Sequence, residues 1–148
     1  MLVVDKISMF YGQYQALREV SLTMGEGELV MVLGPNGHGK STLLKTICGL
    51  EQASSGSIQY EGEELRGLPS PKIVSRGVVY VAENRHLFPA MTVRENLLMG
   101  AYPKHAWKDR RESLDYVFEL FPKLKAWKEE KERYRGQMSI GKGHGVQP

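Results

Sequence analysis

One cysteine, Cys48, is all that the 148 residues contain. No disulfide can form within such a chain, and a reducing compartment is expected. Neither sign of charge dominates, since 20 basic against 17 acidic residues leave a formal +3, and the charges are interspersed. That surplus is too small to point to nucleic acid. No run reaches the roughly 18 consecutive apolar residues that a bilayer-spanning helix needs. The opening stretch MLVVDKISMFYGQ carries an acid at Asp5 and lacks the basic start, long apolar centre and small-residue cleavage site of a secretory signal. A cytoplasmic protein that can dock on a membrane protein is the expectation. With 41% hydrophobic and 25% charged residues the chain falls outside the disordered and fibrous classes. Its length suffices for one main unit, which would bury about 68–70% of its unfolded surface.

What the chain does have is glycine in a telling place. Gly34 to Thr42 reads G-P-N-G-H-G-K-S-T and matches the phosphate-binding pattern G-x-x-x-x-G-K-[ST] at every defined position. Gly34, Gly37 and Gly39 let backbone amides approach phosphate oxygens where side chains would collide. Lys40 is spaced to reach the β- and γ-phosphates, and the Ser41 hydroxyl to coordinate a bridging Mg²⁺. Pro35, Asn36, His38 and Thr42 complete the expected cradle. The run from Ser41 to Leu50 reads as a helix whose N-terminal dipole also favours an anion. The apolar run from Glu28 to Leu33, ELVMVL, is expected to be a buried strand leading into the loop. Strand, loop and helix in that order imply a nucleotide site. Met31 and Cys48 beside it are read as packing residues.

Upstream, Leu2 to Phe10 and Ala16 to Met24 alternate loosely between apolar and polar residues, which predicts two antiparallel strands joined by a loop containing Tyr11. Tyr11 has two readings on these grounds, a half-buried structural aromatic or a ring that stacks on a base. Downstream, Ser57 to Tyr60 predicts a short strand and Pro69 to Arg76 a short helix with Pro71 in its first turn. Val78 to Ala82, VVYVA, reads as a second buried strand. Glu83 follows it directly, as would suit a metal-holding strand end. Ala82, however, stands where the Mg²⁺-linked aspartate would be, so an Asp-Glu pair is absent and Glu83 would have to meet metal or water in another geometry.

Thr92-Val93-Arg94-Glu95 is a capping box opening a helix to about Ala101. A longer helix is predicted from about Ala106 to Phe121, with Leu114, Val117, Phe118 and Phe121 on one face and Lys108, Arg111, Asp115 and Glu119 opposite. The apolar stripe is either an ordinary core face or a docking surface. Lys123 to Arg135 is mixed in charge and reads as a solvated helix or linker.

Taken together, the phosphate loop, the tyrosine loop and the Glu83 region resemble the ATP-binding subunits of ATP-binding-cassette (ABC) transporters, the branched-chain amino acid uptake branch above all. The resemblance covers roughly residues 2 to 139. Tyr11-Gly12 with Ala16-Leu17 matches the segment whose aromatic stacks on adenine, which makes Tyr11 an implied adenine contact. Val81-Ala82-Glu83-Asn84-Arg85, Leu87-Phe88-Pro89 and Thr92-Val93-Arg94-Glu95-Asn96-Leu97 resemble the strand end, flexible loop and start of the helical subdomain. Most relatives carry glutamine at the Glu83 position, where it senses Mg²⁺ and the attacking water and couples to the membrane subunit. The branched-chain group resembles this chain in having glutamate.

The implied fold is an α/β phosphate-loop NTPase core of ABC type with an antiparallel β subdomain and part of the helical subdomain, incomplete at its C-terminus. The expected organisation is a nucleotide-binding core over 1–90, a helical subdomain over 91–135 and an altered glycine-rich tail over 136–148. Gly136-Gln137-Met138-Ser139 resembles the approach to the family signature, and Ser139 resembles either the signature serine or a residue beyond it. No catalytic Asp-Glu strand follows, and His144 lacks the surroundings of the family's switch histidine. Two function classes result. One is a Mg-ATP-dependent ATPase that pairs with a second ATP-binding subunit on a membrane permease, peripheral to the inner face of the cell membrane. The other is a truncated, non-catalytic chain that grips ATP without turning it over. A small-molecule kinase would fit the loop but leave Tyr11 and Glu83 unexplained.

Overall fold

A computed structural model describes residues 1–83 and 87–130. The chain divides into two compact units, Met1–Val81 and Ala82–Pro148.

The first unit is built on β1 (Leu2–Tyr11) and β2 (Tyr14–Met24), which form the expected antiparallel hairpin with Leu2 opposite Met24 and Tyr11 opposite Tyr14. β3 (Ser55–Tyr60) pairs antiparallel with the other edge of β1, and the short β4 (Glu63–Glu64) follows it, giving the order β2-β1-β3-β4. The β1–β2 ladder is bulged between Val4 and Ile7. Lys6 and Glu19 take positive φ of 46°, and hydroxyls collect the amides: Lys6 N–H donates to Ser21 Oγ at 2.8 Å and Glu19 N–H to Ser8 Oγ at 3.1 Å. The hairpin therefore bends without leaving these polar groups orphaned.

Beneath the sheet lie α1 (Lys40–Ile47) and α2 (Ser70–Val74). Leu43, Thr46 and Ile47 of α1, spaced to share one face, are buried together with Val4, Ile7, Met9, Leu17, Ile58, Leu65 and Ile73. Each fully buried aliphatic side chain such as Ile7 or Ile58 contributes about 1.5–3 kcal/mol through burial. Pro71 sits in the first turn of α2, where its missing N–H costs nothing.

Two expected strands are corrected. Neither 28–33 nor 78–82 belongs to a ladder. The first run keeps the up-and-down alternation of an extended chain: Leu29, Met31 and Leu33 are 90%, 72% and 81% exposed, whereas Val30 and Val32 are 37% and 38%. Val79 and Val81 are likewise exposed. The physical reason is that a strand is defined by its partners, and the only sheet among the described residues is the antiparallel one, to which neither run is added.

The second unit is helical. α3 (Val93–Met99) begins at the predicted capping box, with Thr92 Oγ1 accepting from Glu95 N–H and the Glu95 carboxylate accepting from Thr92 N–H. Its first amides also find backbone acceptors, Val93 N–H donating to the Glu130 carbonyl at 2.9 Å and Arg94 N–H to that of Lys128 at 3.0 Å. The single long helix expected over 106–121 is instead α4 (Lys104–Lys108) and α5 (Arg110–Leu120), followed by α6 (Pro122–Ala126). At the break Arg110 lies over the Trp107 ring at 4.4 Å and donates from Nη1 to the Trp107 carbonyl at 2.6 Å. A side chain thus takes up a carbonyl at the end of α4. Phe118 is buried and Leu114 and Val117 are half-buried, which is the core-face reading of the stripe, but Phe121 leaves the helix at φ −128° and is exposed. Among the described residues no helix is long and apolar enough to cross a membrane.

Candidate functional site

The glycine-rich loop closes on itself through Lys40. The lysine Nζ donates to the carbonyl oxygens of Gly34 at 2.7 Å and Pro35 at 2.6 Å, so the side chain bridges the two ends of the turn. Gly37 and Gly39 both sit at φ 82°, a region that residues with a Cβ enter at a cost. At Gly39 there is a second reason for glycine. A Cβ there would lie 2.9 Å from the Ala16 carbonyl oxygen and 3.1 Å from Leu17 Cδ2. The loop thus rests on β2, five residues beyond the hairpin tyrosine.

Gly39 is also the N-cap of α1, and it brings no side chain to satisfy the helix's first amides. No acidic residue lies in the first turn of α1. Among the described residues the six successive N–H groups from Gly37 to Thr42 have no protein acceptor, the first helical bond from the loop region being Leu43 N–H to Gly39 O at 2.8 Å. In α3, by contrast, the capping box and the carbonyls of residues 128 and 130 consume the equivalent donors. An uncapped helix start, free amides and a nearby ammonium are the donors that anion binding calls for. A chain of phosphates carries oxygens in the number and charge that such donors require. Ser41 is exposed and its hydroxyl makes no hydrogen bond among the described residues, which leaves it open as an oxygen donor to a hard cation. No cluster of three or more His, Cys, Asp or Glu side chains exists among the described residues to hold a metal without further ligands.

The His38 ring is turned back onto the loop, its Nδ1 lying 3.1 Å from the Asn36 carbonyl oxygen. A carbonyl can only accept, so Nδ1 carries a proton. Thr42 is half-buried. Its carbonyl accepts from the buried Thr46 hydroxyl at 2.7 Å, which fixes the first turn of α1 to the next.

Tyr11 stands at the hairpin end, half exposed, with the exposed Tyr14 opposite it across the turn and Phe10 exposed beside it. The structure therefore joins residues 34–42 in one loop and ties that loop through Ala16 and Leu17 to the strand that carries the aromatic tip. Glu83 lies in the second unit, exposed and without a hydrogen bond or ion pair among the described residues. Asn84, Arg85, Ser139 and His144 lie outside the described residues. The contact of Ala16 and Leu17 with Gly39 was not derivable from spacing, because it joins residues more than twenty positions apart. The glycine preceding the lysine was the one hint that something approaches closely there.

The sequence model of the family described as ABC transporter matches residues 17–147. The high-affinity branched-chain amino acid transport ATP-binding protein BraG of Pseudomonas aeruginosa is 50% identical over 141 residues, 95% of this chain and 59% of BraG. The sulfate/thiosulfate import ATP-binding protein CysA of Bacillus cereus is 37% identical over 139 residues, 93% of this chain and 38% of that protein. A solved ATP-binding cassette of an ABC transporter superposes with a TM-score of 0.74 at 28% identity, over 93% of this chain and 60% of the cassette. The chain thus spans about three fifths of the length of BraG and of the cassette, and less of CysA.

Proposed function

Because the chain belongs to the ABC transporter family, we propose that residues 34–42 bind Mg-ATP and that the chain serves as the ATP-binding part of an importer. The observation that carries this reading is the run of unpartnered amides from Gly37 to Thr42 beside the Lys40 ammonium. The amides and the helix start would receive the phosphate oxygens. Lys40 would exchange its carbonyl partners for the β- and γ-phosphates, and Ser41 would supply one ligand to Mg²⁺. Bound Mg²⁺ neutralises charge on the phosphates. Tyr11, at the hairpin tip, would stack on the adenine ring. Glu83 would act as the residue that couples the nucleotide's state to a membrane permease, contacting metal or water. A second ATP-binding subunit would close over the site, and the assembly would lie at the inner face of the cell membrane. Branched-chain amino acids are the solute class favoured by the similarity to BraG, at 50% identity against 37% for the sulfate/thiosulfate protein.

A second reading is that these 148 residues bind ATP without hydrolysing it. The observation behind it is that Ala82 stands ahead of Glu83 and no acidic cluster occurs among the described residues. Hydrolysis needs a group that positions water against the γ-phosphate. Steady-state phosphate release with Mg-ATP, beside a Lys40→Ala control, separates the two. Turnover that vanishes in the control excludes the binding-only reading, and saturable binding without turnover excludes hydrolysis by these residues alone.

A further inference from the structure

His38 occupies a position in the loop that phosphate geometry leaves free to vary, yet its ring is held in place. The Nδ1–H donated to the Asn36 carbonyl at 3.1 Å fixes which nitrogen is protonated in the neutral ring. Nε2 is then the atom that gains or loses a proton. On either side of His38 are the two glycines at φ 82°, and the unpartnered amides run through it. The loop's other charged side chain, Lys40, is turned to the carbonyls of Gly34 and Pro35. The element packed against the loop presents Ala16 and Leu17 at the contact, neither of them charged. Among the described residues no carboxylate is hydrogen-bonded or ion-paired to His38.

We infer that His38 is a second, proton-dependent cation of the phosphate loop, so that binding of a nucleotide's phosphates is coupled to proton uptake at its Nε2. The inference rests on residues 34–42 being the nucleotide site. With phosphates in the cradle both cations are favoured, and by linkage the proton and the nucleotide strengthen each other's binding. Histidine is the side chain for which this exchange falls between about pH 5 and 8.

The test is calorimetric titration of the 148-residue chain with Mg-ATP at pH 6 and pH 8, in buffers of differing ionisation enthalpy. It is run on the unaltered protein, His38→Asn and His38→Lys. Asparagine keeps a donor for the Asn36 carbonyl but does not titrate. Lysine keeps a charge throughout. The ligand's own titration is common to all three and cancels in the comparison. The expected result is a gain in affinity of about threefold to tenfold on going from pH 8 to pH 6, beyond that of His38→Asn. Net proton uptake should accompany binding to the unaltered chain, and His38→Lys at pH 8 should bind like the unaltered chain at pH 6. Parallel pH profiles for the unaltered protein and His38→Asn, or equal proton uptake, overturn the inference while leaving the nucleotide site intact. Absence of ATP binding in all three proteins overturns the site itself.

Discussion

A Cβ placed on Gly39 would stand 2.9 Å from the carbonyl oxygen of Ala16. That distance is shorter than side-chain carbons adopt against backbone, and neither partner is a flexible chain end. The loop is therefore seated on β2 by the absence of a side chain.

Gly39→Ala should accordingly do two kinds of damage. The residue sits at φ 82° and its Cβ meets backbone, so a loss of about 1–3 kcal/mol is expected from strain at this position. Urea unfolding followed by circular dichroism would measure it. Because the loop must lift off β2 to make room, ATP affinity should fall at least about tenfold. Gly37→Ala meets no atom within 4 Å and should cost only the positive-φ penalty, about 1–2 kcal/mol.

Thr92→Ala should remove the N-cap of α3. Thr92 Oγ1 accepts from Glu95 N–H at 3.2 Å, and the Glu95 carboxylate accepts from Thr92 N–H at 2.7 Å. Loss of such a cap costs about 1 kcal/mol. Amide hydrogen exchange in 93–99 should speed up about fivefold, with Thr92→Ser close to the unaltered chain. Equal exchange rates in the alanine variant would show the cap to be idle.

Glu64 gives the β3–β4 turn a pH dependence. Burial pushes its carboxyl upward. Hydrogen bonds from the Ser57 hydroxyl and from Ile58 N–H and Arg66 N–H, each amide at 2.9 Å, together with the Arg66 charge, more than offset this and hold it below the usual carboxylate range. A depressed folded value means that the stabilisation is present above about pH 4.3, the ordinary glutamate value, and is lost as the pH falls through the folded value. The urea midpoint of Glu64→Gln should lie below that of the unaltered chain at pH 7. The gap should narrow once the pH drops under 4. A constant gap across that range would contradict the assignment.

Features that depend on neighbours in sequence were legible before any coordinates. The glycine-rich loop running into α1, the β1–β2 hairpin and the Thr92 capping box follow from short spacings, and these local structures lie where expected. Features that depend on distant partners were not. Apolar runs at 28–33 and 78–82 carry the composition of buried strands, but composition cannot supply the hydrogen-bonding neighbours that make a strand. The division of α4 from α5 was hidden for a related reason. Residues 108–113, KDRRES, hold no apolar residue, so a pattern of hydrophobicity has nothing to read at the break, and the Arg110 guanidinium that takes the Trp107 carbonyl is invisible to it. At the site, the residue types were readable and the contact of Gly39 with Ala16 was not.

Whether residues 34–42 grip the phosphates of ATP through free amides and Lys40 is decided by calorimetric titration of the unaltered chain and Lys40→Ala with Mg-ATP and with AMP. Saturable ATP binding to the unaltered chain, much weaker binding of AMP, and at least about a tenfold loss for ATP in Lys40→Ala are expected. The thermal midpoint should move little, because among the described residues Lys40 bonds only to the loop's own exposed carbonyls. Equal ATP affinity in the two proteins, or equal affinity of the unaltered chain for ATP and AMP, would contradict that grip.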